Sequence, residues 1–594
     1  IAAAQEERFS RKKHDSEFPT NAVKYCLNEA GLTIDDIEGV VYYEKPFLKF
    51  ERLLESYYHF APKGLTSFVK SIPVWIREKL FIKYELYSQL KKIGNFDRKN
   101  LKLYFSEHHL SHAASAYYPS GFDSAAILTL DGMGEWASAS IACGKTGELK
   151  IIKELHYPNS LGLLYSAFTY FLGFVVNSGE YKLMGLAPYG IDGSEQTEKY
   201  KNTIREKLVD IRPDGSIKLD MKYFGFATGL KMIKTRKWEN LFGIKKREPS
   251  ESISQQHCNM ALAIQQITEE IVLNMAKEAK KLTGENNLCL AGGVALNCVA
   301  NSVILSSGLF EKIFIQPASG DAGGALGAAM AYAYMHQKIP FTASESDKMK
   351  GAFLGPEFSD SEVLKTLRKY SADYKYFENN DDLFGYTAKQ LSEGKVCGWF
   401  RGRMEYGPRA LGNRSILADA RNSEMQKKLN LKIKFREGFR PFAPSVLSED
   451  TKKYFDIEVS SPYMLYTAPV NTSIRNKLPD DYNEMELMKK LYTQRSVIPA
   501  VTHCDFSARL QTVHKETNPN YHALITKFKE LTGTGLIVNT SFNVRGEPIV
   551  CTPDDAFRCF MRTEMDILIM QNYVLIKEHQ NIKPELFKEK FKPD

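Results

Sequence analysis

The chain has 594 residues, which exceeds the roughly 250–300 residues that one hydrophobic core can hold, so two large domains are expected. A hydrophobic content of 43% and a charged content of 25% are ordinary for a soluble globular protein. The net charge of +8 is spread over a large surface. This balance suits phosphate-bearing substrates and disfavours a dedicated nucleic-acid-binding protein, which would concentrate its basic residues.

The cysteines and the apolar stretches favour a cytoplasmic protein without a membrane anchor. Nine cysteines are scattered along the chain without a CxxC pair, which is typical of reduced thiols. The charged start IAAAQEERFSRKKHD lacks the apolar core of a signal peptide. The apolar stretch 161–176 is shorter than the ~20 residues that span a bilayer, and it is predicted to be a buried helix.

Strand-like runs alternate with helical runs in the first half, which is typical of an α/β fold. GVVYYE (39–44), AAILTLDG (125–132) and NLCLAGGVALN (287–297) are predicted strands, and 253–282 and 321–335 are predicted helices. The segments DGMGE, AGGVALN and SGDAGGALG are glycine-rich turns that would let the backbone approach a nucleotide closely. The polar stretch 343–362 then predicts a boundary between a domain at 1–350 and a second domain at 351–594.

A histidine cluster, EHHLSHAASAYYP, predicts a metal site. His108 and His112 are four residues apart at the start of a predicted helix, so both side chains lie on one face. Asp131 and Asp321, at the ends of strand-like runs, are available as oxygen ligands. Imidazole and carboxylate ligands without a thiolate suit Fe(II), Mn or a catalytic zinc. The alternative is that these are surface or capping histidines, and His109 has no predicted role.

An arginine-rich span in the second half predicts an anion-binding site. The basic residues between Arg401 and Arg440 are interleaved with glycine, proline and aromatic residues, as in GPRALGNR and REGFRPFAP. Rigid turns of this kind can hold guanidinium groups for two-point contacts with phosphate or carboxylate. NTSFN (539–543) adds amides and hydroxyls suited to the same ligand. An ion-pair network between domains is the alternative.

The motifs together resemble the NodU/CmcH-type O-carbamoyltransferase family, which includes antibiotic, nodulation-factor and saxitoxin-pathway enzymes. The matching strings occur in the family order and include EERFSRKKHD, HHLSHAASAYYP, LTLDGMGE, GEYKLMGLAPYG, LAGGVALN, PASGDAGGALGAA, EYGPRALGNRSILADAR, KIKFREGFRPFAPSV, ARLQTV and NTSFNVRGEPIV. The resemblance implies an actin/sugar-kinase-like first domain, similar to tRNA threonylcarbamoylation enzymes, and a YrdC-like α/β second domain. The YrdC-like domain would form carbamoyl-adenylate from carbamoyl phosphate and ATP, with Mg²⁺ accompanying the ATP. The first domain would pass the carbamoyl group to a hydroxyl of a small-molecule acceptor and release AMP.

The resemblance also implies roles for individual residues. Fe(II), or another divalent metal, would be held by His108, His112 and Asp321, with Asp131 close to the metal or the adenylate. Carbamoyl phosphate would contact Arg409, Lys434, Arg440, Arg509, Asn539 and Ser541, with Arg414 and Asn543 nearby. Asp131, Arg409 and Arg440 would act in catalysis, as would Lys13 and His14 if they line the acceptor pocket. The adenylate would lie against Gly292, Gly293 and Asn297, with Glu180 and Lys182 as looser candidates.

One departure from the family concerns the start of the chain. Family members begin with a strand that carries a phosphate loop upstream of Ile1, so we expect lost sequence there, and a general base it supplies cannot be named. Three alternatives remain open: a tRNA threonylcarbamoyl-type transferase, a sugar or acid kinase of the same fold, and a non-enzymatic metal- or nucleotide-binding protein. Salt-sensitive tRNA binding would favour the first alternative, and ADP as product would favour the second. The sequence fixes neither the acceptor nor the oligomeric state.

Overall fold

The computed structural model describes residues 1–75, 81–482, 485–582, 584–587 and 591. The chain forms two compact units. The central unit is Leu27–Lys348, and the terminal unit combines Ile1–Cys26 with Met349–Asp594. Both are mixed α/β structures.

The elements are numbered along the chain. The helices are α1 (Glu6–Ser10), α2 (Thr20–Ala30), α3 (Pro46–Phe60), α4 (Leu65–Trp75), α5 (Ile82–Lys91), α6 (His108–Ser120), α7 (Leu161–Phe171), α8 (Glu180–Leu186), α9 (Glu195–Thr203), α10 (Thr235–Phe242), α11 (Gln255–Thr283), α12 (Cys298–Ser306), α13 (Asp321–Ala331), α14 (Asp360–Lys369), α15 (Asn380–Ser392), α16 (Met425–Lys428), α17 (Thr451–Tyr454), α18 (Leu487–Tyr492), α19 (Pro519–Thr532) and α20 (Pro553–Arg562). The strands are β1 (Gly39–Tyr42), β2 (Lys102–Phe105), β3 (Ser124–Leu130), β4 (Ala137–Lys145), β5 (Glu148–His156), β6 (Val209–Ile211), β7 (Ile217–Leu219), β8 (Asn287–Ala291), β9 (Lys312–Ile315), β10 (Lys375–Tyr376), β11 (Cys397–Phe400), β12 (Arg414–Ala418), β13 (Ala443–Leu447), β14 (Tyr466–Pro469), β15 (Ser507–Val513), β16 (Leu536–Ser541), β17 (Ile567–Met570) and β18 (Tyr573–Ile576).

The main sheet of the central unit runs in the order β5–β4–β3–β8–β9. β3 pairs antiparallel with β4 and parallel with β8, with Thr129 opposite Ala291. Helix α6 packs on these strands through buried residues such as Ala113 and Tyr117. Because β3 and β8 are parallel neighbours, their carboxyl ends meet at one edge of the sheet. Asp131 and Gly292, which follow these two strands, therefore lie side by side.

The predicted long helix at 253–282 is α11, and its ends follow from local chemistry. Ser254 and His257 form a reciprocal capping box at its start, and Gly284 adopts the left-handed conformation (φ 71°) after its end. The uncharged stretch at 161–176 contains the buried helix α7, as predicted. Within the described residues, none of the helices combines the length and the apolar character needed to cross a membrane. All nine cysteines are free thiols.

The terminal unit is built on a long sheet in the order β10–β18–β17–β11–β12–β16–β13–β15–β14. Its core contains Trp399, Tyr521, Phe528 and Ile569, all almost fully buried. The neighbouring strands β12, β16, β13 and β15 carry the arginine- and asparagine-rich motifs. The sheet thus brings together segments that are far apart in the sequence.

The first 26 residues lie in the terminal unit, whereas two consecutive domains were expected from the sequence. Arg11 connects this N-terminal segment to the rest of the terminal unit. Its guanidinium pairs with Glu547 (2.9 Å) and Asp555 (3.2 Å) and donates to the carbonyl oxygen of Ile549 (2.7 Å). Arg8 donates to the carbonyl oxygen of Gly407 (3.0 Å). These contacts join residues several hundred positions apart, so no local sequence pattern predicts them.

Candidate functional site

Four side chains of the central unit meet in one cluster: His108, His112, Asp131 and Asp321. One potential ligand atom from each lies within 4.8 Å of the others. The Nε2 atoms of His108 and His112 are 3.1 Å apart, and Asp131 Oδ2 lies 3.0 Å from His108 Nε2. Asp321 Oδ1 is 3.8 Å from each of the two histidine nitrogens. Both histidines are buried, whereas Asp321 is exposed, so the cluster is open on the Asp321 side.

Secondary structure explains why these four residues meet. His108 is the first residue of α6, and its backbone N–H donates to both carboxylate oxygens of Glu135 (3.1 and 3.0 Å), which anchors the helix start. His112 follows one turn later on the same face. Asp131 comes directly after β3, and its Oδ1 accepts a hydrogen bond from the backbone N–H of Gly293 (3.0 Å). Asp321 is the first residue of α13.

Close packing of α13 on α6 brings Asp321 to the histidines. A Cβ atom on Gly327 would overlap the carbonyl oxygen of Ser111 in α6, and a Cβ on Gly324 would lie 2.9 Å from the ring of Tyr43. Only glycine allows this approach at either position. The small residues of DAGGALGAA therefore set the spacing of the cluster.

The histidines and Asp131 stabilise one another's charged forms, whereas Asp131 and Asp321 repel each other. Burial alone would lower the pKa of His108, but the hydrogen bond and charge of Asp131 outweigh burial and raise it above its usual value. Burial would raise the pKa of Asp131, yet hydrogen bonds to His108 and His112 hold it well below its usual range. Burial and the Asp131 carboxylate raise the pKa of Asp321. Two carboxylates this close are best accommodated with a cation between them.

The donor set fits a divalent metal ion. Ligand atoms about 2.1 Å from one ion at angles near 90–110° are roughly 3.0–3.4 Å apart, close to the two shorter distances in the cluster. Two imidazoles and two carboxylates without a thiolate suit Fe(II), Mn or a catalytic zinc. The residues predicted from the sequence as metal ligands are thus brought together by the fold.

His109 faces away from this cluster. Its Nδ1 lies 2.6 Å from Thr129 Oγ1, which in turn contacts Ser140 Oγ. Burial, together with the neighbouring His108 and His112, lowers the pKa of His109 to about 3, so its ring is neutral at physiological pH. This residue, which received no role from the sequence, ties α6 to the central sheet.

The residues proposed for the adenylate are partly engaged in local structure. Gly292 has φ 88°, and a Cβ there would overlap the carbonyl oxygen of Leu130, so the turn after β8 requires glycine. Asn297 caps α12 by accepting from the N–H of Ala300 (3.1 Å). Glu180 accepts from Ser166 Oγ (2.7 Å) and from the N–H of Asn177 (3.0 Å). The Lys182 side chain is buried.

In the terminal unit, Arg414 supports the loop that carries Arg409. Its guanidinium donates to the carbonyl oxygens of Arg401, Gly402, Asn413 and Pro356 at 2.9–3.2 Å. It also lies 3.8 Å from the ring centroid of Phe400. Arg414 is fully buried, and burial lowers its pKa to about 10. These contacts assign Arg414 a structural role in the loop.

Lys434 contacts two of the other proposed anion ligands. Its Nζ donates to the Ser541 carbonyl oxygen (2.7 Å) and to Asn543 Oδ1 (2.6 Å), and Ser541 Oγ donates to the same Asn543 oxygen (2.7 Å). Burial, reinforced by the charge of Arg436, holds the pKa of Lys434 well below its usual value. A buried ammonium group among oxygen acceptors is suited to an anion that would complete its neutralisation.

Asn539 links the strands beneath the Arg409 loop. Its Nδ2 lies 3.0–3.1 Å from the Ala410 carbonyl oxygen, Ser445 Oγ and Gln511 Oε1. Gln511, two residues after Arg509 on β15, donates to the Leu411 carbonyl oxygen (2.8 Å). Within the described part of the chain, the buried Asn539 amide oxygen has no hydrogen-bond partner, so its lone pairs are available to a ligand N–H group.

Arg440, Lys13 and His14 complete the predicted set. Arg440 Nη1 lies 3.7 Å from Glu437 Oε2. Lys13 and His14 follow α1, and the backbone N–H of His14 donates to Glu7 Oε2 (2.8 Å). All three residues belong to the terminal unit, as do Arg409 and Arg509, whereas the histidine–aspartate cluster belongs to the central unit.

Sequence reasoning missed the residues that hold these groups in place. Glu135 anchors the start of α6, and Glu405 accepts the backbone N–H groups of Leu411, Asn413 and Arg414 through one oxygen. Gln511 supports the same loop. Each lies inside one of the motif strings, LTLDGMGE, EYGPRALGNR and ARLQTV, and that position is the signal that could have identified them.

Two family models match the chain. The model described as Carbamoyltransferase N-terminus matches residues 1–330, and the model described as Carbamoyltransferase C-terminus matches residues 388–577. Together they cover most of both units.

Three relatives illustrate the similarity. Uncharacterized protein sll1178 of Synechocystis is 50% identical, over 100% of this chain and 96% of its own length. Nodulation protein NolNO of Sinorhizobium fredii is 36% identical, over 97% of this chain and 77% of its own length. The 3'-hydroxymethylcephem-O-carbamoyltransferase of Streptomyces clavuligerus is 31% identical over 53% of this chain and 54% of its own length.

Proposed function

The chain belongs to the carbamoyltransferase family and is a carbamoyltransferase, and we propose that it transfers a carbamoyl group to a hydroxyl of a small-molecule acceptor. The observation that carries this proposal is the His108–His112–Asp131–Asp321 cluster, whose ligand atoms lie within 4.8 Å of one another. The similarity to a cephem O-carbamoyltransferase supports an oxygen acceptor. A natural product or a sugar is the acceptor class we favour.

We assign the activation of carbamoyl phosphate to the terminal unit, as a YrdC-like domain. Water displaces phosphate from carbamoyl phosphate, and the carbamate oxygen then attacks the α-phosphorus of ATP, with pyrophosphate as the leaving group. The Arg409 loop, Lys434 and Arg509 would bind and neutralise the phosphate charges. The unpartnered Asn539 oxygen would accept a hydrogen bond from the carbamoyl NH₂ group. ATP would enter with Mg²⁺.

We assign the transfer step to the central unit, as an actin/sugar-kinase-like domain. A divalent metal, with Fe(II) the first choice, would be held by His108, His112, Asp131 and Asp321 and would polarise the carbamoyl carbonyl. Gly293 orients Asp131 through its backbone N–H. The glycine-rich turn after β8 lies beside Asp131, which supports our proposal that the adenylate binds close to the cluster. The acceptor hydroxyl attacks the carbamoyl carbon, the bond to the AMP oxygen breaks, and the hydroxyl proton leaves to a base.

The nucleotide product tests this proposal. Incubation of the protein with ATP, carbamoyl phosphate, Mg²⁺ and a panel of sugar and natural-product alcohols should yield AMP and pyrophosphate, with faster AMP release when the acceptor is present. A kinase of the same fold would instead yield ADP. ADP as the sole nucleotide product would contradict the proposal.

A further inference from the structure

A buried glutamate lies beside the back of His108, on the side away from the cluster. His108 Nε2 faces the other cluster residues, whereas its buried Nδ1 has no hydrogen-bond partner among the residues that the structure describes. Glu44 is 1% exposed, and its Oε2 lies 4.0 Å from His108 Nδ1. Glu44 is not one of the four cluster residues, so the proposed metal ligation does not explain why its carboxylate is buried here.

Contacts to a shared residue, Glu135, fix the positions of Glu44 and His108 relative to each other. Glu135 Oε1 accepts the backbone N–H of His108 (3.1 Å) and also that of Lys45 (2.7 Å), the residue after Glu44. Lys49 on α3 pairs with Glu44 Oε2 at 2.7 Å. A buried carboxylate with one cationic partner has remaining lone pairs that can accept another hydrogen bond.

Metal binding would create the donor that Glu44 lacks. When an imidazole binds a metal through Nε2, its proton resides on Nδ1, and that N–H usually donates to a carboxylate or carbonyl. The distance from Nδ1 to Glu44 Oε2 needs to shorten by only about 1 Å to reach a charge-assisted hydrogen bond. A buried N–H left without an acceptor would lower the affinity for the metal.

We propose that Glu44 is a positioning residue of the metal centre, which accepts the Nδ1–H of His108 and fixes its tautomer and ring orientation, with Lys49 balancing the carboxylate charge. This inference rests on the proposed metal centre. It assigns a functional role to the YYEKPF segment, which the sequence offered only as the end of a predicted strand.

Titration of the metal-free full chain with Co²⁺, followed by calorimetry and by visible absorption, tests the inference. Glu44→Gln should weaken Co²⁺ binding about tenfold, within the 10–100-fold range that loss of such partners causes, and should shift the absorption bands. Glu51→Gln, at an exposed site on helix α3, which begins just after Glu44, is the matched control and should bind like the parent chain. The melting temperature of each metal-free variant reports on folding.

The outcomes separate the two proposals. If His112→Ala abolishes Co²⁺ binding but Glu44→Gln binds with the parent affinity and spectrum, the role of Glu44 is overturned and the metal centre stands. If the parent chain and His112→Ala bind Co²⁺ equally, the metal centre fails, and this inference fails with it. Should Glu44→Gln not fold, Glu44→Asp keeps the charge but lengthens the gap, and unchanged affinity there would equally overturn the role.

Discussion

Replacement of Gly327 by alanine would disturb the proposed metal centre without changing any of its four residues. The new Cβ would overlap the Ser111 carbonyl oxygen and lie 2.8 Å from both the Ser111 carbonyl carbon and the Ser115 nitrogen. Since comfortable contacts begin near 3.5 Å, α13 would have to retreat from α6 by at least about 0.7 Å. Asp321 is the first residue of α13, and its Oδ1 already lies 3.8 Å from both histidine nitrogens. A shift of α13 would therefore move its carboxylate out of the cluster.

The expected effect on stability is smaller than the effect on metal binding. Overpacking costs about 1–3 kcal/mol, while replacing a helical glycine by alanine returns about 1 kcal/mol, so the net loss should be at most about 2 kcal/mol. Co²⁺ affinity, measured by calorimetry, should fall at least tenfold. Gly320→Ala is the control, because a Cβ there meets nothing within 4 Å. Equal Co²⁺ affinity in the two variants would refute the argument that helix spacing sets the cluster geometry.

Three further predictions follow from individual contacts. Asp131→Asn should weaken Co²⁺ binding more than tenfold. In the metal-free chain it should also lower the pKa of His108, which NMR titration of the histidines measures. An unchanged pKa would show that Asp131 is not what raises the pKa of His108. In Arg414→Lys, the lysine ammonium cannot reproduce the planar guanidinium that donates to four carbonyl oxygens. Denaturant unfolding should therefore show that the free energy of unfolding of the terminal unit falls by about 2–4 kcal/mol. A fall below about 0.5 kcal/mol would argue against this role of the guanidinium. Burial lowers the pKa of His503, but Cys504 and Asp505 outweigh burial and raise this pKa to about 10. The protonated His503 therefore stabilises the fold fully below about pH 6.5, and this contribution disappears as the pH rises to about 10. His503→Gln should lose less stability than the parent chain across that range, and parallel stability curves would refute this cause.

The metal cluster could be predicted because its ligands lie at the ends of regular elements. The four-residue spacing of His108 and His112 implies one helix face, and the helix begins at His108. Asp131 follows a strand whose buried pattern is visible in the sequence, and Asp321 starts a glycine- and alanine-rich helix. Local periodicity was sufficient to identify all four.

Two supporting residues outside this pattern, Glu44 and Arg11, could not be predicted, because their partners are remote in sequence. Glu44 lies 64 positions before His108, and Arg11 contacts Glu547 across 536 positions. Arg414 and Asn539 were expected near an anion from their motifs, but the folded chain also gives both of them backbone carbonyl partners. Composition alone does not distinguish an arginine that binds a ligand from one that supports the loop beside it.

Activation and transfer are proposed to use different groups of the protein, and pyrophosphate exchange distinguishes the two steps. Exchange of labelled pyrophosphate into ATP, dependent on carbamoyl phosphate, reports formation of carbamoyl-adenylate without an acceptor. We expect His112→Ala to retain this exchange but no longer to carbamoylate an alcohol, whereas Arg409→Gln should lose the exchange itself. Circular dichroism should show that both variants are folded. Loss of exchange in His112→Ala together with full exchange in Arg409→Gln would contradict the assignment.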